Sequence, residues 1–149
     1  INSGKIKYDD KILHRSKVLK FYTDKNYSPE KTQKDLNNVY KKIKRNKNYF
    51  FSAKDLALVE SLSLDGINIP KEIKTEKISK KYSIPQNLLG LIEDKNTGFL
   101  VLKIVEIIGE DEVNNLDSET IYFITTLLNR SGLKKLRNKI ITSALPLRA

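Results

Sequence analysis

Ser52-Ala53-Lys54-Asp55-Leu56-Ala57-Leu58-Val59-Glu60-Ser61-Leu62-Ser63-Leu64-Asp65-Gly66 carries a complete set of helix signals. Ser52 followed three residues later by Asp55 is a capping-box pattern, in which each side chain satisfies a backbone N–H that the first turn leaves unpaired. Leu56, Leu58, Val59, Leu62 and Leu64 supply the apolar positions. Gly66 stands where a helix ends in a left-handed residue, a conformation that costs glycine nothing. A shift of 66 residues lays a second helix over the first. Ser52 falls on Ser118, Leu58 on Ile124, Leu62 on Leu128, Gly66 on Gly132 and Ile67 on Leu133. Two readings stay open: related hairpin units of a stacked helical array, or two amphipathic helices that both happen to stop at glycine.

Outward from this stretch the same signals recur. Upstream, Ile12, Leu13, Ser16, Leu19 and Tyr22 stand at helical spacing behind Asp9 or Asp10 as cap, which predicts a helix over residues 10–23. Ser28-Pro29-Glu30 is a helix start, with a serine cap, proline at the first position and an acid in the first turn. That helix, 29–46, shows an apolar stripe of Leu36, Val39, Tyr40 and Ile43 opposite Lys34, Lys41, Lys42, Lys44 and Arg45. Residues 67–74, with Pro70, read as a connector. Short helices are expected over 76–82 and 86–93, the second opened by Pro85. Residues 99–108 form the most apolar run, which periodicity alone cannot assign to a buried helix or a buried strand. Its length and the following Gly109 favour helix. An acidic loop leads to Asp117 or Ser118 as the cap of the next helix, stopped by Gly132. The last helix carries Leu133, Leu136, Ile140, Ile141 and Ala144 and ends at Pro146.

The expected class is therefore all-α: about seven or eight short antiparallel helices arranged as solenoid-like hairpins. One domain over 1–149 is expected, with sub-units 9–66 and 75–149. The last third, residues 98–145, resembles tetratricopeptide-like helical-hairpin arrays. The residues that carry the likeness are the apolar run to Gly109, the helix from Ser118 to Ser131, the Gly132-Leu133 turn, and Leu136, Ile140 and Ala144. The tryptophan of the full tetratricopeptide motif is missing. The stretch is also similar to C-terminal regions of uncharacterised bacterial proteins with helical repeats. Both resemblances imply an interaction scaffold and name no ligand.

Composition excludes several classes. The chain has 149 residues, 39% of them hydrophobic, so it can hold a core without staples. It has no Cys, which removes disulfides, thiolate metal sites and cysteine nucleophiles. Its one histidine, His14, rules out a zinc site that needs two. The apolar run at 99–108 is about half a membrane span, so no span is expected in this chain. A chain that starts at Ile1 and lacks Met reads as a fragment or C-terminal region of a longer protein, without the N-terminal region where a signal would lie. Cytoplasm and periplasm suit it equally.

The net charge is +10, unevenly spread. Residues 1–48 carry net +9, residues 49–132 net −4 and residues 133–149 net +5. Since 23 of the 28 basic residues are Lys, codon bias of an AT-rich genome is an alternative source of the charge. The densest basic stretch is Tyr40 to Tyr49, with Lys41, Lys42, Lys44, Arg45 and Lys47 between two rings suited to base stacking. Lys134, Lys135, Arg137 and Lys139 form a second set on the last helix. Both sets read more readily as solvated helix faces, the first favoured by the helix dipole.

His14 with Arg15, Ser16 and Lys17 offers a general base, yet Ser16 two residues away faces elsewhere on a helix. Asp10, at i−4, is its expected partner, which makes His14 a surface or boundary residue. Glu110, Asp111, Glu112, Asp117 and Glu119 are acidic but lack the alternation and glycine of a calcium loop. No glycine-rich phosphate loop can be written. No catalytic, cofactor-binding or metal-ligating residue is therefore assigned, and no cofactor is expected. The leading expectation is a non-enzymatic helical scaffold whose partner is another protein or another part of the same protein. The alternative is nucleic-acid or polyanion binding through Lys41, Lys42, Lys44, Arg45 and Lys47, helped by Lys134, Lys135 and Arg137.

Overall fold

The signals at Ser52 and Gly66 are realised as written. In the computed structural model, which describes residues 6–73, 116–145 and 147–148, a helix spans Ala53–Leu64. Ser52 Oγ accepts from the Asp55 N–H at 3.1 Å, and the Asp55 carboxylate accepts from the Ser52 N–H at 3.2 Å, closing the capping box. At the other end the Ile67 N–H donates to the Leu62 carbonyl (3.0 Å) and the Gly66 N–H to the Ser63 carbonyl (3.2 Å). This is a Schellman stop, made by Gly66 at φ 94°.

Five α-helices lie among the described residues: α1 Lys20–Thr23, α2 Pro29–Arg45, α3 Ala53–Leu64, α4 Ser118–Arg130 and α5 Lys134–Ala144. A two-residue antiparallel ladder pairs β1 Ile6–Lys7 with β2 Leu147–Arg148. The class is all-α, and the described residues do not form seven or eight hairpin repeats or a solenoid. The expected elements at 76–82, 86–93 and 99–108 lie outside the described residues.

Local chemistry explains the helices that matched. Ser28 Oγ caps α2 by accepting from the Lys31 N–H at 3.2 Å, with Pro29 at the first position. Its buried face is Thr32, Leu36, Val39 and Ile43, while Tyr40 stays half-buried at the edge. Asp117 caps α4 by accepting from the Thr120 N–H at 2.8 Å. The α4 stop repeats that of α3: Leu133 N–H to the Leu128 carbonyl, Gly132 N–H to the Asn129 carbonyl, and Gly132 at φ 73°.

The continuous helix expected over 10–23 is not formed. The stretch breaks into two single turns of 3₁₀ helix, Leu13–Arg15 and Lys17–Leu19, before α1. Ser16 is extended at the break (ψ 174°) and its hydroxyl donates to the Leu13 carbonyl. Tertiary partners replace helical ones here: the Leu13 N–H donates to the Tyr49 hydroxyl and the His14 N–H to the Asp55 carboxylate. Local propensity lost to those long-range bonds.

Helix α3 is central among the described elements. Leu56, Ala57, Leu58, Val59 and Leu62 are all buried, so it is enclosed on most sides. One hydrophobic core joins Leu13, Val18 and Leu19, the buried face of α2, Leu58 and Leu62 of α3, Ile121 to Leu128 of α4, and Ile140 to Leu145 at the end of α5. A smaller cluster sets Ala53, Leu56 and Ala57 against Tyr122. Along α3 and α4 the partners advance together. Leu56 and Ala57 pack with Tyr122, Glu60 accepts from Tyr122 and Thr126, and Ser61 accepts from Asn129. These two helices, separated by residues 65–117, therefore run parallel.

At both Gly66 and Gly132 an added Cβ would meet no atom within 4 Å. Gly66→Ala and Gly132→Ala should each lower stability by about 1 kcal/mol through the backbone alone, with no packing term. Urea unfolding of the two variants measures this.

Candidate functional site

Three polar constellations stand out, and two are internal to the fold. The first surrounds Asp65, the residue that ends α3. Arg137, fully buried on α5, donates from Nη2 to Asp65 Oδ2 at 2.6 Å and from Nη1 to Asn129 Oδ1 at 3.0 Å. Its Nε and Nη2 also donate to Asn138 Oδ1. Tyr22 of α1 donates to Asp65 Oδ2 at 2.8 Å, and the guanidinium lies over the Tyr22 ring, 5.5 Å from its centroid. Burial, reinforced by the Asp65 charge, pushes the Tyr22 phenol far up, so it stays protonated and keeps donating. Lys134 reaches the other Asp65 oxygen at 3.4 Å.

This placement corrects the second basic set. Arg137 was expected as a surface anion contact, but its position on the helix turns it inward, where α3 supplies the carboxylate. Lys134 is exposed but paired with Asp65, leaving Lys135 and Lys139 as the free exposed cations of α5 among the described residues.

The second constellation is built on Asp55, itself only 1% exposed. Its carboxylate accepts from the His14 backbone N–H (2.9 Å), His14 Nδ1 (2.6 Å), the Tyr49 hydroxyl (2.7 Å) and the Ser52 N–H (3.2 Å). Since a carboxylate only accepts, Nδ1 carries the proton. His14 is thus buried and held by Asp55, not by Asp10, which pairs with Lys42 at 3.1 Å instead. Ser52 Oγ lies 3.5 Å from the same Nδ1. A serine nucleophile would have to sit at Nε2, so these three residues are not a Ser-His-Asp triad. Tyr49 is likewise no stacking platform. Its hydroxyl bonds Asp55, its ring meets Phe51 edge-on, and burial with the Asp55 charge pushes its phenol well up.

The third feature is open. A groove of about 480 Å³ runs between α3, α4 and the connector that follows α3. Val59, Leu64, Ile69 and Ile73 form its apolar lining, and Leu64 is 53% exposed. Glu60, Lys71 and Arg130 bring charge to it. Burial raises the Glu60 carboxyl, only partly offset by bonds from the Thr126 and Tyr122 hydroxyls and by the Arg130 charge. Sequence reasoning missed Glu60, because its hydroxyl partners lie 62 and 66 residues away.

Lys41, Lys42, Lys44, Arg45 and Lys47 are all exposed at the end of α2, as expected of either reading. Of the acidic set, Asp117 caps α4 and is held below the usual carboxylate range by its bonds from Thr120. Glu110, Asp111 and Glu112 lie outside the described residues. Among the described residues no group of three or more acids, histidines or cysteines could hold a metal, and no helix is long and apolar enough to cross a membrane. Compared with known proteins, the sequence matches no family model, no curated protein and no solved structure.

The raised Glu60 carboxyl has a pH consequence of definite sign. The folded state holds its proton more tightly than the unfolded chain does, so stability falls as pH rises from the ordinary carboxylate range through the raised value. Glu60→Gln should flatten that part of the stability–pH curve and be more stable than the parent at neutral pH. Thermal melts from pH 4 to pH 8 check it.

Proposed function

We propose that this chain is a non-enzymatic helical interaction module, and that the groove between α3 and α4 is its contact surface. The observation that carries this reading is an open groove with an exposed Leu64 on its apolar lining and charge from Glu60, Lys71 and Arg130. Such a groove suits the apolar face of an amphipathic peptide, with the charges fixing direction. By contrast, the His14–Asp55 and Arg137–Asp65 networks are occupied in holding elements together. The finer reading, an array of helical hairpins of tetratricopeptide-like kind, is supported by the parallel α3 and α4, whose glycine stops match at a spacing of 66 residues. The partner is another protein or another part of the same protein.

A second reading, binding of a nucleic acid or other polyanion, is favoured by five exposed cations within the end of α2 and the turn after it. Only Lys42 among them has an ion pair among the described residues. About five phosphate contacts would cost roughly 500-fold in affinity between ~50 and ~200 mM salt. The test pairs two assays on one protein. Peptides selected from a random display library should bind the parent and lose binding to Leu64→Lys. A labelled oligonucleotide should bind weakly at physiological salt, with no change when Lys41, Lys42, Lys44 and Arg45 become Gln. No enriched peptide, together with steep salt-dependent oligonucleotide binding lost in the Gln variant, would replace the first reading with the second.

A further inference from the structure

Phe50 is 68% exposed, and among the described residues only Leu64 joins it as an exposed large hydrophobic. Leu64 lines the groove between α3 and α4, and Phe50 does not. Its neighbours explain why the ring stays out. Tyr49 donates its hydroxyl to Asp55, meets Phe51 edge-on, and packs with Phe51 against the hydrophobic core. With the residues on both sides anchored inward, the ring between them is held outward. The Tyr49 N–H donates to the Asn46 carbonyl at 3.1 Å, a tight turn that keeps Phe50 beside the end of α2.

Positive charge is concentrated at the same place. From Leu36 to Lys54 the chain holds six cations and no acid. Every residue from 44 to 48 is exposed, so this end projects from the fold. Lys42 pairs with Asp10, while Lys41, Lys44, Arg45 and Lys47 are exposed and have no ion pair among the described residues. Asp9 and Asp55 are the acids that share a depression with Phe50. Asp55 is only 1% exposed, and Asp9 is half-buried and accepts from the Lys11 N–H. An exposed ring and four unpaired cations therefore stand together at one projecting end.

We propose that this end docks on an anionic lipid surface, with Phe50 entering the headgroup layer and Lys41, Lys44, Arg45 and Lys47 facing acidic headgroups. A membrane interface offers both halves of that chemistry at once, negative charge over an apolar layer. A single small apolar anchor binds only marginally, and a basic patch beside it is the second signal that makes docking stable. A single-stranded nucleic acid calls for a basic groove with rings in series. Here one ring points outward, and Tyr49, the other ring nearby, is turned in. Lipid docking at this end does not involve the α3–α4 groove, so the two surfaces stand or fall separately.

The chain has no Trp, so Phe50→Trp places a single reporter indole at the tip. The experiment adds vesicles of phosphatidylcholine, with or without phosphatidylglycerol, to the whole chain and follows indole emission and co-sedimentation. The mixed vesicles should bind the protein, shift the emission to the blue, and release the protein as salt rises. Vesicles of phosphatidylcholine alone should do neither. In the parent chain, Phe50→Ser should weaken binding about tenfold. Lys44→Gln and Arg45→Gln should each weaken it roughly fivefold. Lys135→Gln combined with Lys139→Gln, which removes the same charge from α5, should leave it unchanged. Absence of binding to the mixed vesicles at low salt overturns the proposal, as does binding without an emission shift or an equal loss in the α5 variant. Tighter binding of a labelled single-stranded oligonucleotide, with quenching of the indole, overturns it in favour of nucleic acid.

Discussion

The buried ion pair of Arg137 with Asp65 is the constraint on which the arrangement of helices depends. A guanidinium removed from water is costly unless every donor direction finds an acceptor. Here Asp65, Asn129 and Asn138 accept four bonds from it, and they come from the end of α3, from α4 and from α5 itself. Asp65 in turn takes the Tyr22 hydroxyl from α1. One charge therefore fixes the relative position of four helices, across 72 residues of sequence between the two charged partners. Hydrophobic burial is non-directional. This network is directional, and it ties the α4–α5 pair to the end of α3.

The Asp55 network does the same work at the other end of α3. Asp55 closes the capping box, then reaches outside the helix to hold His14 and Tyr49. One carboxylate thus satisfies the start of a helix and pins the 9–15 segment against it. Both ends of α3 are consequently polar fastenings, with the hydrophobic core between them. Both networks hold elements of the fold together, while the groove beside Glu60 and the exposed cations of α2 are open surfaces among the described residues.

Much of the local structure was legible because its causes are local. Ser28 and Ser52 cap the helices they were expected to cap, Asp117 rather than Ser118 caps α4, and Gly66 and Gly132 stop α3 and α4 with left-handed backbone. The register of Leu36, Val39 and Ile43 marks the buried face of α2 correctly. What failed depended on distant partners. Residues 10–23 have helical spacing, but Tyr49 and Asp55 claim the N–H groups of Leu13 and His14 and break the helix at Ser16. Arg137 looked like one more cation on a polar face, and nothing near it in sequence announces a carboxylate at the end of α3. His14 was assigned to Asp10 by helical spacing, and lost that partner when the helix did not form. Of the open surfaces, only the exposed cations of α2 were visible in advance, while Glu60 and its groove arise from the parallel pairing of α3 with α4.

The most direct test of this account is a double-mutant cycle on the pair, using Asp65→Asn, Arg137→Met and the double variant in urea unfolding. Removing Asp65 alone strands a buried guanidinium and should cost about 3 kcal/mol or more. The double variant should recover part of that loss, giving a coupling energy above about 1 kcal/mol. Single variants that each cost less than about 0.5 kcal/mol and simply add would contradict the claim that this pair fastens the helices together.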